Sequence, residues 1–320
     1  MVASFLSALL TVALLAAVQL VVDPPMLLAE RFLPGGGWIE IAALAAWAAW
    51  LAGRMLDPKA QPAWRRRAWL LFTVAFFAQL ALGLAGFERF LMSGALHVPV
   101  PAVILAGPIY RGEGLFMPIL FGAALLAAGP AWCSHLCTFG AIDAAAASRA
   151  VRPGALPSWA RAMRYAMIPI VAGAALGLGL AGAPTAIAAG AALAFGALGL
   201  GVTLLWSRRA GFMAHCTWFC PMGAIATTVG RLSPFRLRLD DGCDGCGACA
   251  LACRYGALSL ADIDRRRPGA TCTLCGDCVG RCPSRNAGYR FGPLRGERVR
   301  AAFIVVAVSL QAVFLGVARV

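Results

Sequence analysis

A chain of 320 residues in which 61% of the residues are apolar carries more hydrophobic sequence than one soluble core can bury. Most of it is therefore expected to face lipid. The formal net charge of +14 would suit a nucleic-acid-binding protein, but the arginines lie in loops that flank apolar runs, where positive charge orients a membrane protein. Nucleic-acid binding is therefore not predicted.

Seven apolar runs are long enough to cross a bilayer as helices, since about 20 residues span its hydrocarbon core. They are residues 3–22, 38–55, 68–87, 115–132, 165–182, 185–206 and 301–318. The first run lacks a preceding basic segment and a small-residue cleavage pattern, so we interpret it as a retained helix. Segment 88–114 contains three prolines and is interpreted as a surface loop or a short re-entrant element.

Positive charge predicts the orientation of these runs. Basic residues cluster between runs two and three and between runs four and five. They are Arg54, Lys59, Arg65, Arg66, Arg67, Arg149, Arg152, Arg161 and Arg164. Both loops are therefore predicted to be cytoplasmic. The N-terminus is then inside and the C-terminus outside.

Eight of the twelve cysteines form two Cys-x-x-Cys-x-x-Cys-x-x-x-Cys quartets, the run typical of bacterial two-cluster ferredoxins. In such a run three cysteines of one quartet and the fourth of the other bind each cluster. The predicted ligands are Cys243, Cys246, Cys249 and Cys282 for one 4Fe-4S cluster and Cys272, Cys275, Cys278 and Cys253 for the other. Two structural zinc sites are the alternative, although zinc usually takes Cys-x-x-Cys pairs separated by a longer loop.

The remaining four cysteines form two Cys-x-x-x-Cys pairs within an internal repeat. Residues 131–142 align with residues 214–225, and each copy follows a predicted helical hairpin. A pair at this spacing on one helix presents both thiols on one face. Four such thiols, Cys133, Cys137, Cys216 and Cys220, are a candidate site for an additional metal or cluster. The alternative is that they pack as small buried residues.

Together, the paired repeats and the doubled ferredoxin run resemble the NapH/NosR-type membrane polyferredoxins, 4Fe-4S ferredoxin-type proteins that include the MauN- and CcoG-like proteins. The resemblance covers about residues 115–291. Cys220-Pro221 matches the family pattern, whereas Thr138 follows Cys137. The resemblance implies a bacterial inner-membrane protein that exchanges electrons between the quinone pool or a cytoplasmic donor and a membrane or periplasmic redox protein. The chain has no outer loop long enough for the flavin domain of the NosR branch, so flavin is not predicted.

The predicted architecture is an all-α polytopic membrane protein with about seven transmembrane helices, a duplicated hairpin core and an inserted two-cluster α+β ferredoxin-like segment. Residues 1–67 would form two N-terminal spans, 68–235 the duplicated hairpins, 236–292 the cytoplasmic ferredoxin-like domain and 293–320 the last span. Haem is not predicted, because two histidine ligands must face each other at similar depth. His97 is predicted outside, whereas His135 and His215 are predicted inside.

Three functions follow from this architecture. The leading hypothesis is an electron-transfer protein, such as a quinol-dehydrogenase-type subunit, in which two 4Fe-4S clusters relay electrons. The alternative is an assembly factor that reduces or delivers a metal such as copper for a respiratory or periplasmic enzyme, with the Cys-x-x-x-Cys pairs as transient thiolate sites. The third is a scaffold whose clusters only stabilise the fold.

The arginine distribution makes the topology testable with reporter fusions. A reporter fused after Gly292 should behave as cytoplasmic, and one fused after Val320 should behave as periplasmic, because the last apolar run lies between them. A cytoplasmic signal from the C-terminal fusion would show that either the first or the last run does not cross the membrane.

Overall fold

The computed structural model describes residues 1–91 and 98–317, and most of this part of the chain is helical. Its contacts divide into two compact units, which are described separately. Unit 1 comprises Met1–His97 and Gly296–Val320, and unit 2 comprises Val98–Arg295. His97 itself lies outside the described residues, so its position stays a prediction.

Helices dominate the described residues, and three short strands follow late in the chain. The helices are α1 (Val2–Val21), α2 (Leu28–Phe32), α3 (Gly36–Met55), α4 (Gln61–Leu84), α5 (Val103–Arg111), α6 (Phe116–Ala128), α7 (Trp132–His135), α8 (Thr138–Ala147), α9 (Ala160–Leu180), α10 (Thr185–Val202), α11 (Arg208–Ala210), α12 (Pro221–Val229), α13 (Ala248–Ala252), α14 (Leu260–Asp264), α15 (Asp277–Arg281) and α16 (Glu297–Val317). Tighter 3₁₀ turns lie at Glu88–Phe90, Gly129–Ala131 and Gly230–Leu232, and π-helical turns at Thr203–Ser207 and His215–Phe219. The strands are β1 (Phe235–Leu239), β2 (Ala287–Phe291) and β3 (Leu294–Arg295).

Seven helices among the described residues are long and apolar enough to cross a membrane. They are Val2–Val21, Gly36–Met55, Gln61–Leu84, Phe116–His135, Ala160–Leu180, Thr185–Ala210 and Glu297–Val317. Each corresponds to one predicted apolar run, so the prediction of seven apolar helices is confirmed. The third helix begins earlier than its run, because Pro62 occupies its first turn, a position where proline is favoured.

Unit 1 packs α1, α3 and α16 around an apolar core that includes Leu15, Leu51 and Ile304. At one end of this core the buried Arg300 donates to the carbonyl oxygen of Met55 at 3.2 Å and to the side-chain oxygen of Gln61 at 3.1 Å. The turn between α3 and α4 is thereby fixed against the start of α16.

Arg65 also belongs to unit 1, and its position corrects one part of the sequence analysis. It was predicted to lie in the basic loop between runs two and three. It lies instead within α4, is only 2% exposed, and its guanidinium is 5.4 Å from the ring centroid of Trp69. The early start of α4 is the reason for this difference.

The predicted pairing of the third and fourth runs as one hairpin stays a prediction. The third run, α4, belongs to unit 1, whereas the fourth, which begins with α6, belongs to unit 2. Segment 88–114 is also more regular than predicted, because α5 forms within it and packs against α9. Tyr110 on α5 donates from its hydroxyl to the carbonyl oxygen of Ala183 at 2.7 Å.

In unit 2 the two copies of the sequence repeat adopt matching backbone geometry. The N–H of Cys137 donates to the carbonyl oxygen of Trp132 at 3.0 Å, and the N–H of Cys220 donates to that of His215 at 2.8 Å. Both cysteines are extended, with ψ of 119° and 121°, and each is the residue from which the next helix begins. The repeat seen in the sequence is therefore a repeat in structure.

The ferredoxin-like segment combines an antiparallel sheet in the order β1-β2-β3 with short helices that follow the cysteines. Gly247 and Gly276 precede α13 and α15 with φ of 74° and 80°. Glycine suits both positions because it adopts positive φ without a side-chain clash. The two helices pack against each other, so the doubled cysteine run forms two equivalent halves.

Arg254 fastens this segment to the repeat. Its guanidinium donates to the carbonyl oxygens of Ala147 at 3.2 Å, Gly211 at 2.9 Å and Ala150 at 3.0 Å. Its own carbonyl oxygen accepts a hydrogen bond from the N–H of Met213 at 2.8 Å. Arginine therefore has a structural role where such ferredoxin runs usually carry proline.

Replacing Arg254 should loosen this attachment. Arg254→Ala removes a charged donor from three carbonyl groups and should lower stability by about 2 kcal/mol. The measurement is the midpoint temperature of unfolding of the purified protein in detergent. Arg265→Ala is the matched control, because the Arg265 side chain is 70% exposed. Equal midpoints for the two variants would contradict a structural role for Arg254.

Candidate iron-sulfur site

Four predicted ligands line one cavity of the ferredoxin-like segment. We call Cys253, Cys272, Cys275 and Cys278 the cavity cysteine set. The space they surround measures about 320 Å³ including its mouth, and its other walls include the apolar side chains of Leu237 and Leu258. Cys253, the fourth cysteine of the first quartet, therefore lies beside the first three cysteines of the second quartet.

Burial makes these thiols poor acids in the absence of a cation. It raises the pKa of Cys253 and of Cys272 to about 12, and it raises the pKa of Cys278 well above the ordinary value. The N–H of Ala257 donates to the sulfur of Cys253 at 3.2 Å and favours its ionised form. Thiolate ligands must lose their protons to bind metal. Four convergent thiols in an apolar cavity therefore fit a 4Fe-4S cluster, whose irons supply the positive charge.

The other predicted ligands, Cys243, Cys246, Cys249 and Cys282, form what we call the exposed cysteine set. The Cys249 thiol is buried, which raises its pKa, and the nearby thiols of Cys243 and Cys282 add to that rise. Cys246 is exposed and lies beside Asp244, whose carboxylate accepts its N–H at 3.2 Å. The structure thus brings three thiols of this set together and leaves Cys246 toward solvent.

The Cys-x-x-x-Cys cysteines form the third group, the four-thiol set of Cys133, Cys137, Cys216 and Cys220. Their thiols are close enough to act on one another electrostatically. Burial and the neighbouring Cys220 thiol raise the pKa of Cys137 to about 12, and burial raises the pKa of Cys220 to about 11. The two repeat copies therefore converge on one buried group of sulfur atoms.

The local path of each pair differs from the predicted single helix. Helix α7 ends at His135, and the extended residue Cys137 begins α8, so the two cysteines of the first pair lie on separate helices. The second pair repeats this change of direction at Cys220. The reason is the carbonyl five residues earlier, which accepts the N–H of the second cysteine in both copies and ends the preceding turn.

Because the chain changes direction here, the N-terminus of the next helix lies against the sulfur of the second cysteine of each pair. Backbone N–H groups of Phe139 and Gly140 act on the Cys137 thiol and oppose the rise in its pKa, and Met222 and Gly223 act likewise on Cys220. A Cβ at position 223 would lie 2.4 Å from the carbonyl oxygen of Cys216, so only glycine fits there. The N-terminal turns of α8 and α12 thus favour negative charge on these sulfurs.

Asp143 contacts the four-thiol set, although no motif in the sequence predicts it as a site residue. Its fully buried carboxylate accepts the hydroxyl proton of Ser207 at 2.5 Å and the N–H of Cys216 at 3.0 Å. Burial raises its pKa to about 6. Asp143 is the one acidic residue in the sequence between Glu113 and Asp240. A single acidic residue in so long a stretch is the sequence feature that could have identified it.

Arg164 was predicted to be a basic residue of a cytoplasmic loop, and that prediction is wrong. It lies within α9 and is 2% exposed. Its guanidinium donates to the carbonyl oxygen of Gly223 at 2.7 Å and to the hydroxyl of Thr227. Helix α9 begins earlier than the predicted run, which carries Arg164 into the packed interior of unit 2.

The two histidines near the cysteine pairs are both buried. The ring of His215 lies against Gly199 and within 5.4 Å and 5.6 Å of the ring centroids of Phe139 and Phe219. Burial lowers the pKa of His215 to about 4, so this ring is neutral at physiological pH.

Hydrogen bonds join the four-thiol set to the cavity cysteine set. The hydroxyl of Tyr255, which lines the cavity, donates to the carbonyl oxygen of Cys133 at 3.0 Å. The hydroxyl of Ser134 donates to the carbonyl oxygen of Thr273 at 2.9 Å. Residues next to Cys133 in the chain therefore contact residues next to Cys253 and Cys272.

Among the described residues, no three or more histidine, cysteine, aspartate or glutamate side chains are arranged to hold a single metal ion. A cubane spreads its four ligand sulfurs over separate irons, so its ligands stand farther apart than those of one ion. The additional site at the four-thiol set stays a prediction.

Comparison with known families supports iron-sulfur chemistry in unit 2. A family model described as a 4Fe-4S binding domain matches residues 114–153 and 188–240. Each matched segment contains one Cys-x-x-x-Cys pair, and the second ends before Cys243. The match therefore falls on the internal repeat rather than on the doubled ferredoxin run.

Curated relatives share similar, short stretches. The chain is 38% identical over 73 residues to the "Putative electron transport protein YccM" of Escherichia coli K12, 31% identical over 78 residues to the "Putative electron transport protein YsaA" of the same organism, and 38% identical over 77 residues to the "Methylamine utilization ferredoxin-type protein MauN" of Paracoccus denitrificans. These matches cover 22%, 22% and 23% of this chain and 19%, 47% and 25% of the relatives, so the chain spans less than half of each. No solved structure matches the chain.

The exchange of the fourth cysteine between quartets can be tested by paired substitutions. Cys253→Ser and Cys272→Ser should weaken the same cluster, because both cysteines line one cavity. Cys249→Ser and Cys282→Ser should weaken the other. The measurement is the electron paramagnetic resonance spectrum of the reduced protein, with iron content determined on the same samples. Loss of the same signal in Cys253→Ser and Cys249→Ser, with the other signal intact, would show that each quartet binds its own cluster.

Proposed function

We propose that this chain, which is similar to 4Fe-4S ferredoxin-type proteins, relays electrons in a bacterial inner membrane. Its proposed partners are a quinone or cytoplasmic donor and a membrane or periplasmic redox protein. Electron transport is the activity that the names of two relatives carry. The observation that carries the finer proposal is the hydrogen-bonded contact between the four-thiol set and the cavity cysteine set. It joins the ends of apolar helices to the ferredoxin-like segment.

The membrane location rests on the seven apolar helices. Helix α10 exposes large apolar side chains such as Ile187, Leu193 and Leu198. An apolar helix with so little of its surface covered suits contact with lipid. The ferredoxin-like segment is proposed to lie in the cytoplasm, with the N-terminus inside and the C-terminus outside.

The two ferredoxin cysteine sets are proposed to occupy different positions in the electron relay. When bound, each 4Fe-4S cluster supplies a carrier of one electron. Cys246 and its neighbours lie toward solvent, where a soluble partner can approach them. The cavity cysteine set is enclosed and contacts the repeat through Tyr255 and Ser134. We therefore assign the exposed cysteine set to exchange with a soluble partner and the cavity cysteine set to the internal position.

The four-thiol set is proposed to hold a third iron-sulfur centre. Support comes from the family model for 4Fe-4S binding, which spans both cysteine pairs. It also comes from the matched backbone at Cys137 and Cys220, since a feature built twice at corresponding positions indicates a shared role. A centre here would lie next to the cavity cysteine set, to which Tyr255 and Ser134 connect it.

Removing the four-thiol set should interrupt this relay. In the Cys216→Ala/Cys220→Ala double variant, both sulfurs of the second pair are lost, so quinol should no longer reduce the ferredoxin clusters. The measurement is quinol-driven cluster reduction in lipid nanodiscs, followed by electron paramagnetic resonance under anaerobic conditions.

Dithionite reduction of the same samples is the control, because it shows that the ferredoxin clusters are still assembled. Quinol reduction at the wild-type rate would refute a role for the four-thiol set in the relay. Binding of copper in place of iron at this set, lost in the double variant, would instead favour the metal-delivery function, since soft thiolates also suit Cu(I).

A further inference from the structure

Arg164 is a buried cation without an acidic partner in the part of the chain that the structure describes. It is 2% exposed, and its guanidinium donates only to uncharged groups: the carbonyl oxygens of Gly223 and Ala270, at 2.7 Å and 3.4 Å, and the hydroxyl of Thr227. Its Nε atom is buried and has no hydrogen-bond partner. An isolated buried charge is costly unless an opposite charge compensates it.

Besides the Tyr165 hydroxyl, the groups near Arg164 that can carry negative charge are thiols of the four-thiol set. Its guanidinium acts electrostatically on the thiols of Cys133 and Cys220 and is acted on by that of Cys216. Gly223, whose carbonyl accepts from Arg164, lies in the first turn after Cys220. The positive charge of Arg164 therefore lies beside the sulfur atoms of these cysteines.

The same guanidinium also reaches the ferredoxin-like segment. Ala270, its third partner, is two residues before Cys272 in the chain. One side chain thus contacts the turn that follows the second Cys-x-x-x-Cys pair and the loop that enters the cavity cysteine set. A planar guanidinium with several fixed donors suits such a bridge, whereas an ammonium group would give one point of attachment.

We infer that Arg164 supplies the counter-charge of a negatively charged, thiolate-held centre at the four-thiol set and positions it against the loop that carries Cys272. This inference rests on the third centre of the proposed function. A fixed positive charge favours the reduced, more negative form of such a centre. Arg164 therefore raises its reduction potential, and an uncharged side chain at this position lowers it.

The test separates charge from hydrogen bonding by using two substitutions. Arg164→Gln removes the charge but keeps an amide donor for the carbonyl of Gly223, and Arg164→Lys keeps the charge but loses the planar fork. Arg161→Gln is the matched control, because Arg161 lies on the same helix and is exposed. Redox titration followed by electron paramagnetic resonance measures the potential of the signal that the Cys216→Ala/Cys220→Ala variant lacks, and iron per chain is measured in parallel.

The expected result is a more negative potential in Arg164→Gln, or loss of this signal with the ferredoxin signals retained. Arg164→Lys should stay close to the wild type, and Arg161→Gln should be unchanged. An unchanged potential in Arg164→Gln would overturn the inference while leaving the third centre in place. Loss of the signal in both Arg164 variants would overturn it too, since charge would then not be the property that matters.

Failure of the proposed function gives a different result. In that case wild-type protein has no signal and no iron that the Cys216→Ala/Cys220→Ala variant lacks. The third centre and the counter-charge role of Arg164 would then both be refuted. The two failures are thus told apart by the wild-type sample alone.

Discussion

Unit 2 depends on hydrogen bonds that hold the ferredoxin-like segment against the turns of the internal repeat. Arg254 binds three carbonyl oxygens of the repeat, and Tyr255 and Ser134 connect the cavity cysteine set to the first Cys-x-x-x-Cys pair. These bonds decide which cysteine group faces the apolar helices. Because they use backbone carbonyls and buried donors, they fix position more strongly than contacts between exposed side chains would.

Burial of sulfur explains the chemistry around each cysteine group. Thiols such as Cys137 and Cys272 lie away from water, where ionisation is unfavourable without positive charge nearby. The protein offers such compensation through N–H groups at helix starts and, at the four-thiol set, through the guanidinium of Arg164. The irons of a 4Fe-4S cluster would supply further positive charge. These surroundings support the proposed iron-sulfur role of each cysteine group.

Asp143 is a second charged neighbour of the four-thiol set, and its charge is opposite in sign to that of Arg164. Its carboxylate accepts from Ser207 and from the N–H of Cys216, so it holds the second pair in place from the side of α8. Ser207 in turn accepts the N–H of Ala214 at 2.9 Å. The turn before Cys216 is therefore set by a buried polar network, and such networks specify one arrangement when every member is satisfied.

The sequence by itself determined the seven apolar helices, the two ferredoxin quartets and the internal repeat, because length, spacing and self-similarity are local properties. Only the tertiary structure decided that α4 and α6 belong to different units and that Cys137 and Cys220 begin new helices. It also decided that Arg164 is buried beside thiols. Burial depends on partners distant in sequence, and Arg164 contacts residues 59 and 106 positions away. No local pattern of charge or hydropathy contains that information.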